Sequence, residues 1–208
     1  MKIKICGIFR NEDISFVNEA MPDYIGFVFA KSRRQVSPAK AAELKSMLNY
    51  NTQIVGVFVD NDIDFIANLV HNNIIDFIQL HGSENADYLR RLREKVKNTP
   101  VIKAFTVTES KNISEAEKFP SDFILLDNGK GGTGRTFSWE LLKGNMPDNA
   151  FLAGGINTDN IAEAVSLSPY CIDVSSGAET NGIKDKEKIL KLVKYVRRFA
   201  PDINPQKG

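Results

Sequence analysis

The chain has 208 residues, 42% of them hydrophobic, and a formal charge of +1. That length supports one domain with a full core, the composition excludes a disordered chain, and the charge offers no field for gathering nucleic acid. The longest apolar runs are about six residues, far short of a membrane span. Residues 1–7 form a strand-like run without signal-peptide features, so a cytoplasmic protein is expected. Cys6 and Cys171 lie far apart in sequence and are expected to be free thiols in a reducing compartment.

Apolar runs rich in Ile, Val and Phe begin at Ile3, Tyr24, Ile54, Phe77, Val101, Phe123, Phe151 and Cys171. They are continuous rather than alternating, as strands covered on both faces should be. Helical patterns fill the gaps. The first spans Asn11 to Ala20. The second opens on Ser37-Pro38, an N-cap followed by proline at the first helical position, and runs to about Leu48. Further helices are expected over Asp62 to Val70, Asn85 to Val96, Ser114 to Phe119, Ser138 to Leu142 and Asn160 to Leu167. The last runs from Lys186 to about Phe199, where Pro201 ends it, and the tail from about Asp202 should fray. Eight evenly spaced strands alternating with helices predict a single-domain (β/α)8 TIM barrel over 1–208; an open doubly wound sheet is the competitor.

In such a barrel the loops after the strands share one rim, where ligand chemistry gathers. The rim then carries Cys6-Gly7, Ser32-Arg33-Arg34, Gln79-Leu80-His81-Gly82, Asp127, Gly154-Gly155 and Ser175-Ser176-Gly177. Glycine loops on the seventh and eighth strands, with added serine hydroxyls, suit a phosphate; two tight turns would need no ligand. Cys6 is either a small buried apolar residue or, with open space beside Gly7, a thiolate base. Cys171 starts its strand and belongs at the opposite end, about 10 Å away, too far for a disulfide. His81 either caps a turn or lines the site, and His71 reads as surface. Either Arg33 or Arg34 can clamp a carboxylate through two parallel hydrogen bonds. No Cys/His cluster has metal-ligand spacing, so no metal is expected.

Residues 129–136 come within one residue of a nucleotide phosphate-binding loop, with Arg135 where lysine is required. The helix after it is too short and too few strands follow, so the nucleotide reading is set aside.

These motifs, in this order, resemble the phosphoribosylanthranilate isomerase family of tryptophan biosynthesis over nearly the whole chain. Lys-Ile-Cys-Gly-Ile at 4–8 resembles its first strand, and Gly26-Phe27-Val28-Phe29 with Ser32-Arg33-Arg34 its second unit. Gln79-Leu80-His81-Gly82 is similar to its fourth, and Leu125-Leu126-Asp127 with Gly131 to Trp139 to its most specific signature. Ala153-Gly154-Gly155-Ile156 and Asp173 to Glu179 complete the match. The resemblance implies an Amadori rearrangement, the third step of tryptophan synthesis from chorismate. In it N-(5'-phosphoribosyl)anthranilate becomes 1-(2-carboxyphenylamino)-1-deoxyribulose 5-phosphate, with Cys6 as general base and Asp127 as general acid. It implies Arg34, not Arg33, near the anthranilate carboxylate, His81 lining the site, and Gly132, Gly154, Gly155, Ser175, Ser176 and Gly177 binding substrate. No cofactor is implied, because the opened sugar is its own electron sink. The expected partner is a small phosphosugar, and the chain is expected to be a monomer or homodimer. A ribonucleotide isomerase of histidine synthesis would use two carboxylates at strand ends, but the first strand offers Cys6. A silent phosphosugar-binding barrel would have no need of both Cys6 and Asp127.

Overall fold

The computed structural model describes residues 1–49, 52–127 and 139–199. Eight parallel strands close into a barrel in chain order: β1 (Lys2–Cys6), β2 (Tyr24–Val28), β3 (Gln53–Phe58), β4 (Phe77–Leu80), β5 (Val101–Thr106), β6 (Phe123–Asp127), β7 (Ala150–Leu152) and β8 (Cys171–Val174). The helices are α1 (Asn11–Ala20), α2 (Pro38–Ser46), α3 (Ile63–His71), α4 (Ala86–Lys95), α5 (Ser110–Lys118), α6 (Ile161–Ser166) and α7 (Lys186–Arg197). A 3-10 turn, Trp139–Leu142, stands between β6 and β7. The closed barrel is the architecture expected, and the open sheet is ruled out. The residue 129–136 loop, Gly132 and the tail from about 202 lie outside the described residues.

Local chemistry sets the helix starts. The Ser37 hydroxyl accepts from the Lys40 N–H with Pro38 at the first position of α2. Asp62, Asn85 and Asp185 do the same for α3, α4 and α7, each cap contributing about 1 kcal/mol. Helix α5 begins four residues before the expected Ser114. Its first turn is polar and carries no apolar signal, yet Asn112 accepts from the Thr108 and Glu109 N–H groups and fixes the entry.

A repeated device pins the N-terminal end of the barrel. Asp23, Asp76 and Asp122 each precede an aromatic residue that opens an even-numbered strand. Each carboxylate accepts the N–H of the neighbouring odd-numbered strand's residue, at Ile3 (2.9 Å), Ile54 (2.8 Å) and Val101 (2.7 Å). The barrel interior above them is apolar. Tyr24, Val55, Ile102, Leu125, Phe151 and Cys171 fill it, with Phe77, Phe123 and Tyr170 packed alongside. The Tyr24 and Tyr170 hydroxyls meet at 2.9 Å. This plug closes one end, so a cavity can open only at the other. Among the described residues, no helix is long and apolar enough to cross a membrane.

Candidate active site at the C-terminal rim

The cavity at the C-terminal ends of the strands has a volume of about 300 Å³. Its walls follow from the two-residue period of a strand, which sends every second side chain inward. On β1 these are Lys4 and Cys6. Beyond β4 the series Gln79, His81 continues, and β6 ends inward at Asp127. The β8 series is Cys171, Asp173, Ser175. Cys6, Gln79, His81, Asp127, Asp173 and Ser175 all line the cavity, joined by Arg34, Gly154, Gly155 and Ser176. A sulfur from the first strand and a carboxylate from the sixth therefore share one cavity.

Cys6 is 8% exposed. It pairs in register with Gly26 on β2, and a Cβ at Gly26 would stand 2.7 Å from the sulfur. The room for the thiol thus comes from Gly26, not from Gly7 as the sequence suggested. The space beside Gly7 (φ +80°) is filled by Arg34, whose Cδ would lie 2.4 Å from a Cβ there. Burial pushes the Cys6 thiol up from its ordinary value, the Lys4 ammonium opposes this, Asp173 adds to it and Lys184 opposes it.

Lys4 is wholly buried. Its Nζ donates to Asp173 Oδ2 and to Gln79 Oε1, both at 2.8 Å. Burial opposes its charge, but Asp173 and Cys6 outweigh burial and hold the ammonium well above its ordinary value. Asp173 Oδ1 is buried with no hydrogen-bond partner among the described residues. Gln79 Nε2 lies 2.8 Å from His81 Nδ1, and His81 Nε2 lies 3.7 Å from Asp127 Oδ2. The loop carrying His81 is stapled by Glu84, which accepts from the N–H groups of Asp60 and Gly82 and pairs with Lys103 at 2.8 Å.

The two arginines separate. Arg34 lines the cavity and Arg33 does not. Arg34 reaches Glu179 through two bonds, Nε to Oε1 at 2.6 Å and Nη2 to Oε2 at 2.9 Å. Arg33 bonds Glu179 Oε2 at 2.5 Å and the Gly182 carbonyl at 2.8 Å, facing away. Lys184 adds a third cation, bonding Glu179 Oε1 at 2.8 Å and the Ser175 carbonyl at 2.9 Å. Glu179 and Lys184 come from a small antiparallel pair, β9 (Glu179–Thr180) and β10 (Ile183–Lys184). Burial alone would raise the Glu179 carboxyl, but Arg34 and Lys184 hold it down to about 2.

In the loop after β7, Gly154 (φ +93°) and Gly155 (φ +73°) turn in the left-handed region that favours glycine. The Asn157 and Asn160 amides donate to the Gly155 carbonyl at 3.2 and 3.1 Å and fix that peptide. Ser175 and Ser176 lead into a 3-10 turn (Ser176–Ala178), whose leading N–H groups have no partner within the turn. Hydroxyls and backbone donors there suit an anion. Gly177 stands behind this wall: a Cβ on it would meet the Ile156 carbonyl at 1.9 Å, so glycine lets the seventh and eighth loops touch. Cys6 and Cys171 are both free, Cys171 pairing with Lys2 at the far end of β1. Among the described residues, no group of three or more His, Cys, Asp or Glu is placed to hold a metal ion.

The sequence reading gave Lys4 no place in the site, and named Gln79, Asp173 and Glu179 only within rim segments or motifs, without a role. The signal for Lys4 was present. A lysine two residues before Cys6 in the same strand must point to the same side as the sulfur.

The family model for N-(5'-phosphoribosyl)anthranilate (PRA) isomerase matches residues 3–195. The N-(5'-phosphoribosyl)anthranilate isomerase of Endomicrobium trichonymphae is 51% identical over 201 residues, covering 94% of this chain and 98% of that one. The crystal structure of phosphoribosyl anthranilate isomerase from Thermotoga maritima superposes with a TM-score of 0.84 at 33% identity, covering 95% of this chain and 99% of the other. A phosphoribosyl anthranilate isomerase solved with reduced 1-(o-carboxyphenylamino)-1-deoxyribulose 5-phosphate is similar at TM-score 0.82 and 32% identity, with the same coverage.

Proposed function

The chain belongs to the N-(5'-phosphoribosyl)anthranilate isomerase family, and from that premise we infer that Cys6 and Asp127 divide the acid–base work of its reaction. The protein catalyses the Amadori rearrangement of N-(5'-phosphoribosyl)anthranilate to 1-(2-carboxyphenylamino)-1-deoxyribulose 5-phosphate. Asp127, carrying a proton, gives it to the furanose ring oxygen as the C1–O bond breaks and the anilino nitrogen forms a Schiff base. The Cys6 thiolate takes the proton from C2. The electrons of that C–H bond form the C1–C2 double bond of an enolamine and neutralise the iminium. Loss of the enol proton and protonation at C1 then give the ketone, so no electron enters or leaves.

The observation that carries the assignment is that both groups line one cavity. The wall of Gly154, Gly155, Ser175 and Ser176 holds the sugar phosphate, with Gly177 keeping its two loops in contact; the family resemblance adds Gly132 as a substrate-binding residue. Arg34, two of whose nitrogens are committed to Glu179, offers Nη1 to the anthranilate carboxylate, and His81 lines the site beside Asp127. The working unit is one barrel, as a monomer or a homodimer, which light scattering distinguishes.

The test follows the loss of substrate fluorescence with freshly made phosphoribosylanthranilate. Cys6→Ser and Asp127→Asn are each expected to lower kcat by about 10²- to 10⁴-fold, the usual range for one acid or base. Near wild-type turnover in either variant would refute that residue's role.

A further inference from the structure

A chain of hydrogen bonds crosses the cavity floor, and its directions are forced. The Lys4 ammonium can only donate. It gives one N–H to Asp173 and one to Gln79, each at 2.8 Å. The Gln79 atom that faces it is therefore the carbonyl oxygen, and the amide nitrogen is turned the other way. That nitrogen sits 2.8 Å from His81 Nδ1. An amide NH2 also only donates, so Nδ1 must accept, and the proton of the neutral imidazole sits on Nε2. Nε2 is the nitrogen that faces Asp127 Oδ2, at 3.7 Å.

We propose that Gln79 is a positioning residue for the acid half of the reaction: it passes the fixed direction of Lys4 to His81 and locks the imidazole in the tautomer whose N–H faces Asp127. The proposal rests on Asp127 as the acid and adds what prepares it. Once Asp127 has given its proton to the sugar oxygen it is a carboxylate inside a cavity. A donor already aimed at that charge lowers the barrier, because nothing has to turn as the charge develops. Catalytic contacts are often long before substrate tightens them, so 3.7 Å is compatible with this role. The opposite tautomer would set two donors against each other at Nδ1 and point a lone pair at the new carboxylate. Lys4 is wholly buried and held by Asp173 as well, so the source of direction cannot swing away.

The sequence contains two histidines, which makes the test direct. His71 is exposed and meets the Lys95 carbonyl at 3.1 Å, so it serves as an internal reference. Long-range proton–nitrogen NMR on the intact ¹⁵N-labelled protein reports which ring nitrogen carries the proton. The expected result for His81 is the Nε2–H pattern. In Gln79→Glu the introduced carboxylate accepts from Lys4 and from the ring alike, so Nδ1 must become a donor and the His81 pattern changes. That variant is expected to lose kcat by about 10²-fold or more, the scale on which a wrong imidazole tautomer weakens an acid–base site, with KM nearly unchanged. Gln79→Met, which removes the director without inverting it, is expected to fall between the two. A His81 proton on Nδ1 in the wild-type protein overturns the proposal whatever the variants do, including the case in which they do not fold. A changed His81 pattern with undiminished kcat overturns it as well. Full activity in Asp127→Asn would instead strike down the acid assignment, an outcome that the wild-type spectrum does not share.

Discussion

Two cysteines sit inside the same barrel at opposite ends, and comparing their surroundings separates its structural half from its chemical half. Cys171 packs with Tyr24, Val55, Ile102, Leu125 and Phe151. Burial pushes its thiol well above the ordinary value, Asp173 adds to that, and Lys4, ranking behind Asp173, opposes it. Cys6 is also buried and its thiol is also raised, but here Lys4 outranks Asp173, adds a side-chain hydrogen bond to its charge, and is joined by Lys184. The difference traces to placement: Lys4, two positions before Cys6 on β1, lies close enough to that sulfur to hydrogen-bond it, Lys184 joins it there, and Cys171 is left among rings. As the base proposed above, Cys6 is set apart from Cys171 by its layer of the barrel and not by its residue type.

The sharpest way to break this comparison is to make one change at both ends. Cys6→Ser should cost about 10²- to 10⁴-fold in kcat. Cys171→Ser should leave kcat nearly intact and instead cost about 1–3 kcal/mol of stability, because a hydroxyl is then buried among apolar groups. Steady-state rates and urea unfolding on both variants decide the matter. Equal losses of kcat would erase the distinction between the two ends.

Lys4→Met tests the residue that creates the difference. It leaves Asp173 buried without its cation, which should cost about 3–5 kcal/mol. It also removes the main influence holding the Cys6 thiol down. The working form of the base is the thiolate, which exists above the thiol's pKa. With Lys4 gone that pKa rises further, so the ascending limb of kcat against pH should move to higher pH. An unmoved limb in the folded variant would mean that Lys4 stabilises the barrel without tuning the sulfur.

Gly26→Ala probes the space around the sulfur at a smaller scale. The added methyl would stand 2.7 Å from Sγ and 3.1 Å from the Cys6 Cα, so the thiol must shift. Misplacing a reacting group by an ångström can cost about 10²-fold, and a loss of about tenfold or more in kcat, with KM little changed, is expected. Unaltered kcat would show that the sulfur has room the geometry does not suggest.

The closed half of the barrel was the easier half to read. Its strands announce themselves as continuous apolar runs, and six of the eight helix-forming patterns fell within two residues of where an α-helix forms. Helix α5 slipped by four residues because its first turn is held by Asn112 rather than by apolar contacts. The pattern read from Ser138 forms a single 3-10 turn at Trp139–Leu142. At the open end, the rim positions of Cys6, His81 and Asp127 were legible because each ends or directly follows a strand. Gln79 was harder to find, since a glutamine in a strand has no distinctive period and its meaning comes from Lys4, 75 residues away. The short pair β9–β10 was invisible for a related reason: two-residue strands carry no period at all, and what holds them is the convergence of Arg33, Arg34 and Lys184 on one carboxylate.

That carboxylate extends the comparison to acid. Its pKa stands at about 2 in the folded chain, against an ordinary 4.5. A carboxyl whose folded value is depressed stabilises the fold fully above its ordinary pKa and loses that contribution as pH falls toward the folded value. Glu179→Gln is therefore expected to cost on the order of 2 kcal/mol at neutral pH. The gap between wild type and variant should close between pH 4.5 and about 2. Urea titrations across that range measure it directly. The substitution also gives up one charged acceptor of the pair holding Arg34, so KM for phosphoribosylanthranilate should rise by a few-fold while kcat, assigned by the proposal to Cys6 and Asp127, should change less. A stability gap constant with pH would place the depressed carboxylate elsewhere. A fall in kcat with KM unchanged would mean that Glu179 serves the acid–base pair and not the guanidinium beside it.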